Sequence, residues 1–192
     1  MKLNYSPWGV PDYQKQVADG IISVGTPSHG GYYVRPDVYE QMPAALRCNV
    51  YGGGTWFEED CEVALVMLAF PQYYTEWQLY CAWLTFARED EPNKTYYRAH
   101  RWLIETAEGQ KLIGRFAAFL MANALKYQTG GMSSGGKGWD VSASRLDGLE
   151  TVRFWMPEYP SFGGPFTLAE AEAKGARLVE KKATALPKGV SA

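Results

Sequence analysis

The 192-residue chain is poor in cysteine. Its three thiols, Cys48, Cys61 and Cys81, are odd in number, widely spaced and free of any C-x-x-C pair. That excludes a disulfide framework and a zinc ribbon, and leaves reduced, cytosolic thiols as the expectation. Histidine is scarcer still, with His29 and His100 only. No run approaches eighteen uninterrupted apolar residues, and the start, MKLNYSPWGVPDY, has no apolar signal region. The expectation is therefore a soluble protein of the cytoplasm without membrane contact. An excess of charge of either sign is also missing. A net charge of −2 gives no support for direct nucleic-acid binding, which calls for a basic face, and falls far short of a DNA mimic. Gly52-Gly53-Gly54 is not followed by a Lys-Ser/Thr pair, so it is not a P-loop. There is no internal repeat.

Apolar side chains, in contrast, are plentiful. Hydrophobic residues make up 46% of the chain and charged ones 21%, enough to bury a real core. Aromatics reach 15%, with 7 Trp and 13 Tyr, which makes an aromatic binding surface plausible beside the core.

Residues 13–34 carry a β pattern with turn signals at Asp19-Gly20 and in GTPSHGG, which predicts strands near 13–18, 21–25 and 31–35. Residues 37–46 read as a short helix broken by Pro43. Thr55 and Glu58 fit a capping box, and Phe57, Cys61, Ala64, Leu65 and Leu68 recur at helical spacing, predicting a helix over 56–70 that stops at Pro71. A second helix, crowded with rings, follows in YYTEWQLYCAWLTFARED, and further helices fit 94–107 and 109–127. QTGGMSSGGKG (128–138) reads as a flexible Gly/Ser loop. After it, WDVSASRL and ETVRFWMP alternate with period two around Asp147-Gly148. Thr167 and Glu170 form a capping box for a short helix over 167–175, ARLVEK suits a strand, and the last eight or so residues read as frayed.

Strands and helices are segregated, so the fold class is α+β: a small antiparallel sheet, about four helices, then a C-terminal β-hairpin and short helix. The implied organisation is a core domain over 1–127, the loop over 128–138, and a ββα segment over 139–192 packed on the core.

Two groups of residues carry candidate chemistry. His29 with Cys61 would make a thiolate–imidazolium pair oriented by Glu58, Glu59 or Asp60, or the imidazole and carboxylates would hold a divalent metal. The bland alternative weighs more. Acidic residues in a first helical turn favour the helix dipole, and a thiol on an apolar stripe is usually inert. No metal and no cofactor is therefore assigned. The second group rests on charge. Residues 58–91 hold eight acids against Arg88, and residues 94–126 hold six bases against Glu105 and Glu108. Such opposed patches suit a partner protein or a second copy of the chain. Within the basic stretch Arg98, Arg101 and Trp102 would suit a nucleotide or phosphate backbone, while His100 lies elsewhere on that helix. Tyr159, Phe162 and Phe166, in EYPSFGGPF, read as a rim of exposed aromatics or equally as packed turns.

SPWG (6–9), DGIISVGTPSHGGYYV (19–34), MPAALR (42–47) and WFEEDCEVALVMLAFP (56–71) together resemble an uncharacterised domain carried on phages, plasmids and integrative elements of proteobacteria. Its pattern is a Trp-Gly lead, T-x-S-H-G-G, and a W-[FY]-E-E-D-C helix ending in A-F-P. The resemblance covers about eighty residues and implies that Ser28, His29, Gly30, Gly31, Trp56, Glu58, Glu59, Asp60 and Cys61 matter. A fainter likeness runs to plasmid antirestriction proteins, which also place a Gly-Gly strand turn before an apolar helix. Together these imply a non-enzymatic accessory protein of a phage or mobile element. It would inhibit a host defence system, as an anti-CRISPR or antirestriction protein does, by binding a host defence protein or a nucleotide signal. Two alternatives stand beside this expectation: a hydrolase or transferase using His29 with Cys61, Glu58 or Asp60, and a structural or replication accessory protein.

Overall fold

A computed structural model describes residues 2–135 and 138–183. The chain forms two compact units, Met1–Phe116 and Ala117–Ala192. In the first, β1 (Tyr13–Ala18), β2 (Ile21–Gly25), β3 (Gly30–Val34) and β4 (Trp56–Glu58) form an antiparallel sheet in that order. Gly20, at φ +75°, makes the β1–β2 turn that the Asp-Gly pair predicts. Between β3 and β4 lie α1 (Pro36–Tyr39) and a 3-10 turn, Ala44–Leu46, separated by Pro43. The helices then follow as α2 (Val63–Ala69), α3 (Glu76–Phe86), α4 (Tyr97–Glu105) and α5 (Ala107–Asn123), the last crossing the division between the units. Ile21, Phe57, Leu65, Leu79, Phe86 and Leu103 are all essentially buried in this unit. Each such side chain contributes about 1.5–3 kcal/mol by leaving water.

The second unit holds a four-stranded antiparallel meander, β5 (Tyr127–Gly135), β6 (Gly138–Arg145), β7 (Glu150–Met156) and β8 (Arg177–Ala183), with α6 (Leu168–Ala173) before the last strand. Tyr127, Val141, Phe154, Met156 and Phe166 form its core. The fold class is α+β, as the segregation of strands and helices implies.

Two expectations are corrected. The helix predicted over 56–70 begins only at Val63, because residues 56–58 pair with β3: Tyr32 faces Phe57 and Tyr33 faces Trp56. Phe57 is completely buried there, which outweighs the helical spacing it shares with Cys61 and Leu65. The Thr55–Glu58 capping box is consequently not formed, and the Glu58 carboxylate accepts from the Asp60 amide instead (2.9 Å). Second, in the stretch read as a flexible Gly/Ser loop, residues 128–135 lie in strand β5 and Gly138 begins β6, with ladder pairs from Tyr127–Arg145 to Gly135–Gly138. A register shift between Thr129 and Gly131 absorbs Gly130, so partner strands supply the order that the residues' own propensity does not. The two compact units meet in sequence at Phe116, inside α5. The frayed end expected after residue 184 lies outside the described residues.

Candidate functional site

The separated motifs of the first unit meet at one place. At the lead, Ser6 and Gly9 exchange backbone hydrogen bonds (2.9 and 3.1 Å), and the buried Ser6 hydroxyl donates to the Gly9 carbonyl (2.8 Å). This tight turn presents the Trp8 ring, which stands edge-on to Trp56 at 5.9 Å. Gly31 is where the ring passes the sheet. A Cβ there would lie 2.4 Å from the Trp8 ring and 2.2 Å from the Phe57 carbonyl oxygen. Gly30 leaves similar room, since a Cβ on it would sit 2.5 Å from Glu59 Oε2. The glycine pair after His29 is therefore demanded by close approach.

His29 itself closes the β2–β3 turn. Its carbonyl accepts from the Thr26 amide and hydroxyl, both at 2.8 Å, and its amide donates to Thr26 Oγ1 at 3.2 Å. The turn thus needs only the backbone of this residue, and its exposed ring is left free to serve another purpose. A nitrogen of that ring and carboxylate oxygens of Glu58 and Glu59 all lie within 4.8 Å of one another. His29, Glu58, Asp60 and Cys61 line a recess of about 480 Å³ together with Trp8 and Tyr51.

Beneath the recess the decisive residue is Glu62, fully buried at the entrance to α2. Its carboxylate accepts backbone N–H bonds from Val50, from Tyr51 (2.7 Å), from Gly52 (3.0 Å) and from Glu58 (3.1 Å). Gly53 and Gly54 turn the chain at positive φ, +70° and +56°, just past these donors. The amides of Val50, Tyr51, Gly52 and Glu58 build an anion cradle, and the anion is the protein's own carboxylate. Tyr96 also donates to Glu62, at 3.4 Å, and its hydroxyl lies 3.2 Å from Cys61 Sγ. The polar neighbours of Cys61 are thus Tyr96 and, at 4.0 Å, Glu58, rather than the His29 ring. Burial pushes the Cys61 thiol up, and the surrounding carboxylates push it the same way against the Tyr96 hydrogen bond. The Tyr96 hydroxyl is raised too, first by burial and then by its bond with Cys61. Burial likewise raises Cys48, and lifts Cys81 to about 11.

The second candidate group lies on α4. Arg98, Arg101 and Trp102 line one recess of about 380 Å³ with Ala45, Tyr97, Glu105 and Thr106. Arg98 donates to the Ala44 carbonyl (2.9 Å), and Arg101 donates to the Tyr97 hydroxyl (2.9 Å) and pairs with Glu105. Each fork keeps further N–H donors beyond these bonds. His100 is separate from this recess, with Nδ1 3.0 Å from the Phe86 carbonyl oxygen. Tyr159 and Phe162 belong to the second unit. Tyr159 is exposed and meets Trp139 edge-on at 5.1 Å, whereas Phe162 stacks on Phe166 at 3.8 Å as part of that core. Of the expected aromatic rim, only Tyr159 stands clear of the core.

Sequence reasoning singled out neither Glu62 nor Tyr96 for the site. Glu62 has one legible cue, an acid directly before the apolar run VALVMLA. Tyr96 has none, because its role depends on a contact 35 residues away.

The first unit is thus an α+β domain whose edge strand, hairpin turn and N-terminal turn converge on a polar recess. The chain belongs to the family described as a domain of unknown function, DUF7007, whose model matches residues 2–119. No characterised protein and no solved structure matches the chain.

Proposed function

We propose that the protein acts by binding an anionic partner through α4, as an accessory protein of a phage or mobile element that blocks or sequesters a component of a host defence system. What supports binding is one observation: two guanidinium groups and the Tyr97 and Trp102 rings line a single open recess. Guanidinium forks recognise phosphate and carboxylate, and aromatic faces accept a planar base or a cation. A nucleotide signal or an acidic face of a defence protein satisfies that combination. The accessory role follows from the resemblance to domains of mobile elements.

The test is an affinity pull-down from bacterial cells carrying phage or plasmid, read by mass spectrometry for proteins and for nucleotides. The wild-type chain is expected to retain one species stoichiometrically. The Arg98→Glu/Arg101→Glu double variant, checked for folding by circular dichroism, is expected to lose it. Retention of the same species by both proteins, or an empty wild-type preparation, would overturn the proposal.

A second reading, a hydrolase or transferase, draws on the convergence of His29, Glu58, Asp60 and Cys61 around the other recess. Substrate turnover that His29→Ala abolishes, with folding intact, would favour it.

A further inference from the structure

The geometry points to a divalent cation site formed by His29, Glu58 and Glu59, fitted to a borderline transition ion such as Zn²⁺. It is independent of the binding function proposed for α4.

The backbone brings the three ligands together from the β2–β3 turn and the end of β4. Glu58 ends β4, paired with Gly31, and the Glu59 amide donates to the Gly30 carbonyl at 3.1 Å. Neighbouring residues on a strand point to opposite faces, so two successive glutamates do not normally converge. Here the strand ends at Glu58, and the Glu59 carboxylate folds back into the space left by the missing side chain of Gly30. The result places two carboxylates beside an imidazole, all three within 4.8 Å of one another.

Two like charges held this close repel, and a cation among them turns that repulsion into attraction. The Glu58 carboxylate is further fixed by the Asp60 amide at 2.9 Å, the kind of outer bond that orients a metal ligand. The His29 ring comes without entanglement, because its turn is held entirely by backbone and by Thr26.

The donor set selects the ion. One imidazole nitrogen and two carboxylate oxygens suit Zn²⁺, Co²⁺ or Mn²⁺ better than Mg²⁺ and Ca²⁺, which prefer all-oxygen shells. Donors on an ion at about 2.0–2.2 Å stand roughly 3–4 Å apart, so the three side chains would close by about one ångström. Three protein ligands would leave a position open on a four-coordinate ion, and two of them, His29 and Glu58, line the recess shared with Trp8 and Tyr51.

The experiment uses the full chain, with any affinity tag removed and stripped by chelator. ZnSO₄, MnCl₂ and MgCl₂ are each titrated by calorimetry, and the visible spectrum is recorded with CoCl₂. One Zn²⁺ per chain is expected, with a dissociation constant below about 0.1 mM, a raised melting temperature and much weaker Mg²⁺ binding. His29→Gln and Glu59→Gln should each weaken Zn²⁺ by about tenfold or more and alter the Co²⁺ spectrum. His100→Gln should change neither. His29→Gln keeps the backbone bonds of the turn, so it tests the site even where Glu59→Gln disturbs the sheet edge. Absence of saturable Zn²⁺ binding, or equal binding by wild type and both ligand variants, would overturn the site.

Discussion

Four backbone amides and one tyrosine hydroxyl converge on the Glu62 carboxylate, which has no access to water. Both oxygens act as acceptors, and among the described residues no cationic side chain hydrogen-bonds to them. Replacing one oxygen with an amide nitrogen puts an N–H donor where an acceptor had faced two backbone N–H groups. Charge-assisted bonds are lost and buried donors are left without a partner. Glu62→Gln is therefore expected to lower stability by about 3 kcal/mol. Asp60→Asn, on an exposed side chain, should stay within about 0.5 kcal/mol. Urea unfolding of the two variants measures the contrast, and equal midpoints would mean that the cradle contributes nothing specific. At this scale the sequence was informative about which residues gather and poor about what each does. His29, Glu58, Asp60 and Cys61 do share a recess, and Arg98, Arg101 and Trp102 another. The pairing of Cys61 with Tyr96 rather than His29 depends on where α4 falls in space, which local pattern does not encode.

At the scale of elements, two capping boxes were read from the same Thr-x-x-Glu spacing, and one exists. Thr167 accepts from the Glu170 amide (3.2 Å) while Glu170 accepts from the Thr167 amide (2.6 Å), closing the start of α6. Around Thr55 the chain enters β4, and Glu58 faces Gly31 across the sheet. A third box, Thr75 with Gln78, caps α3. Thr167→Ala should thus cost about 1 kcal/mol, the usual value of an N-cap side chain. Thr55→Ala should cost only a few tenths of that, since the Thr55 group that bonds Val34 is its carbonyl. A thermal melt of each variant separates the outcomes, and an equal loss at Thr55 would put the helix start back at residue 56. The hairpins were legible for a related reason. Asp19-Gly20 and Asp147-Gly148 dictate their turns locally, through glycines at φ +75° in both cases. The strand over 127–135 was not legible, because glycine and serine carry no β preference. Its order comes from pairing with β6.

At the scale of the molecule, the family match ends at residue 119 and the first compact unit at Phe116. The end of the family match and the physical division of the chain thus fall within three residues of each other. Both candidate recesses are lined wholly by residues before that point, so the proposed binding and metal sites belong to the family domain. The second unit carries a core of its own, in which Phe154 meets Phe162 and Phe166 edge-on at 6.3 and 6.0 Å. Truncating a fully buried phenylalanine removes its transfer energy and leaves a cavity, a loss of about 3–5 kcal/mol. If each core defines its own cooperative unit, Phe154→Ala should reduce amide protection across β5 to β8 and leave that of β2, β3 and α2 near the wild-type level. Hydrogen exchange read by mass spectrometry resolves these segments directly. A uniform loss of protection from Ile21 to Leu178 would instead show one cooperative molecule, with the family domain dependent for its stability on the segment that follows it.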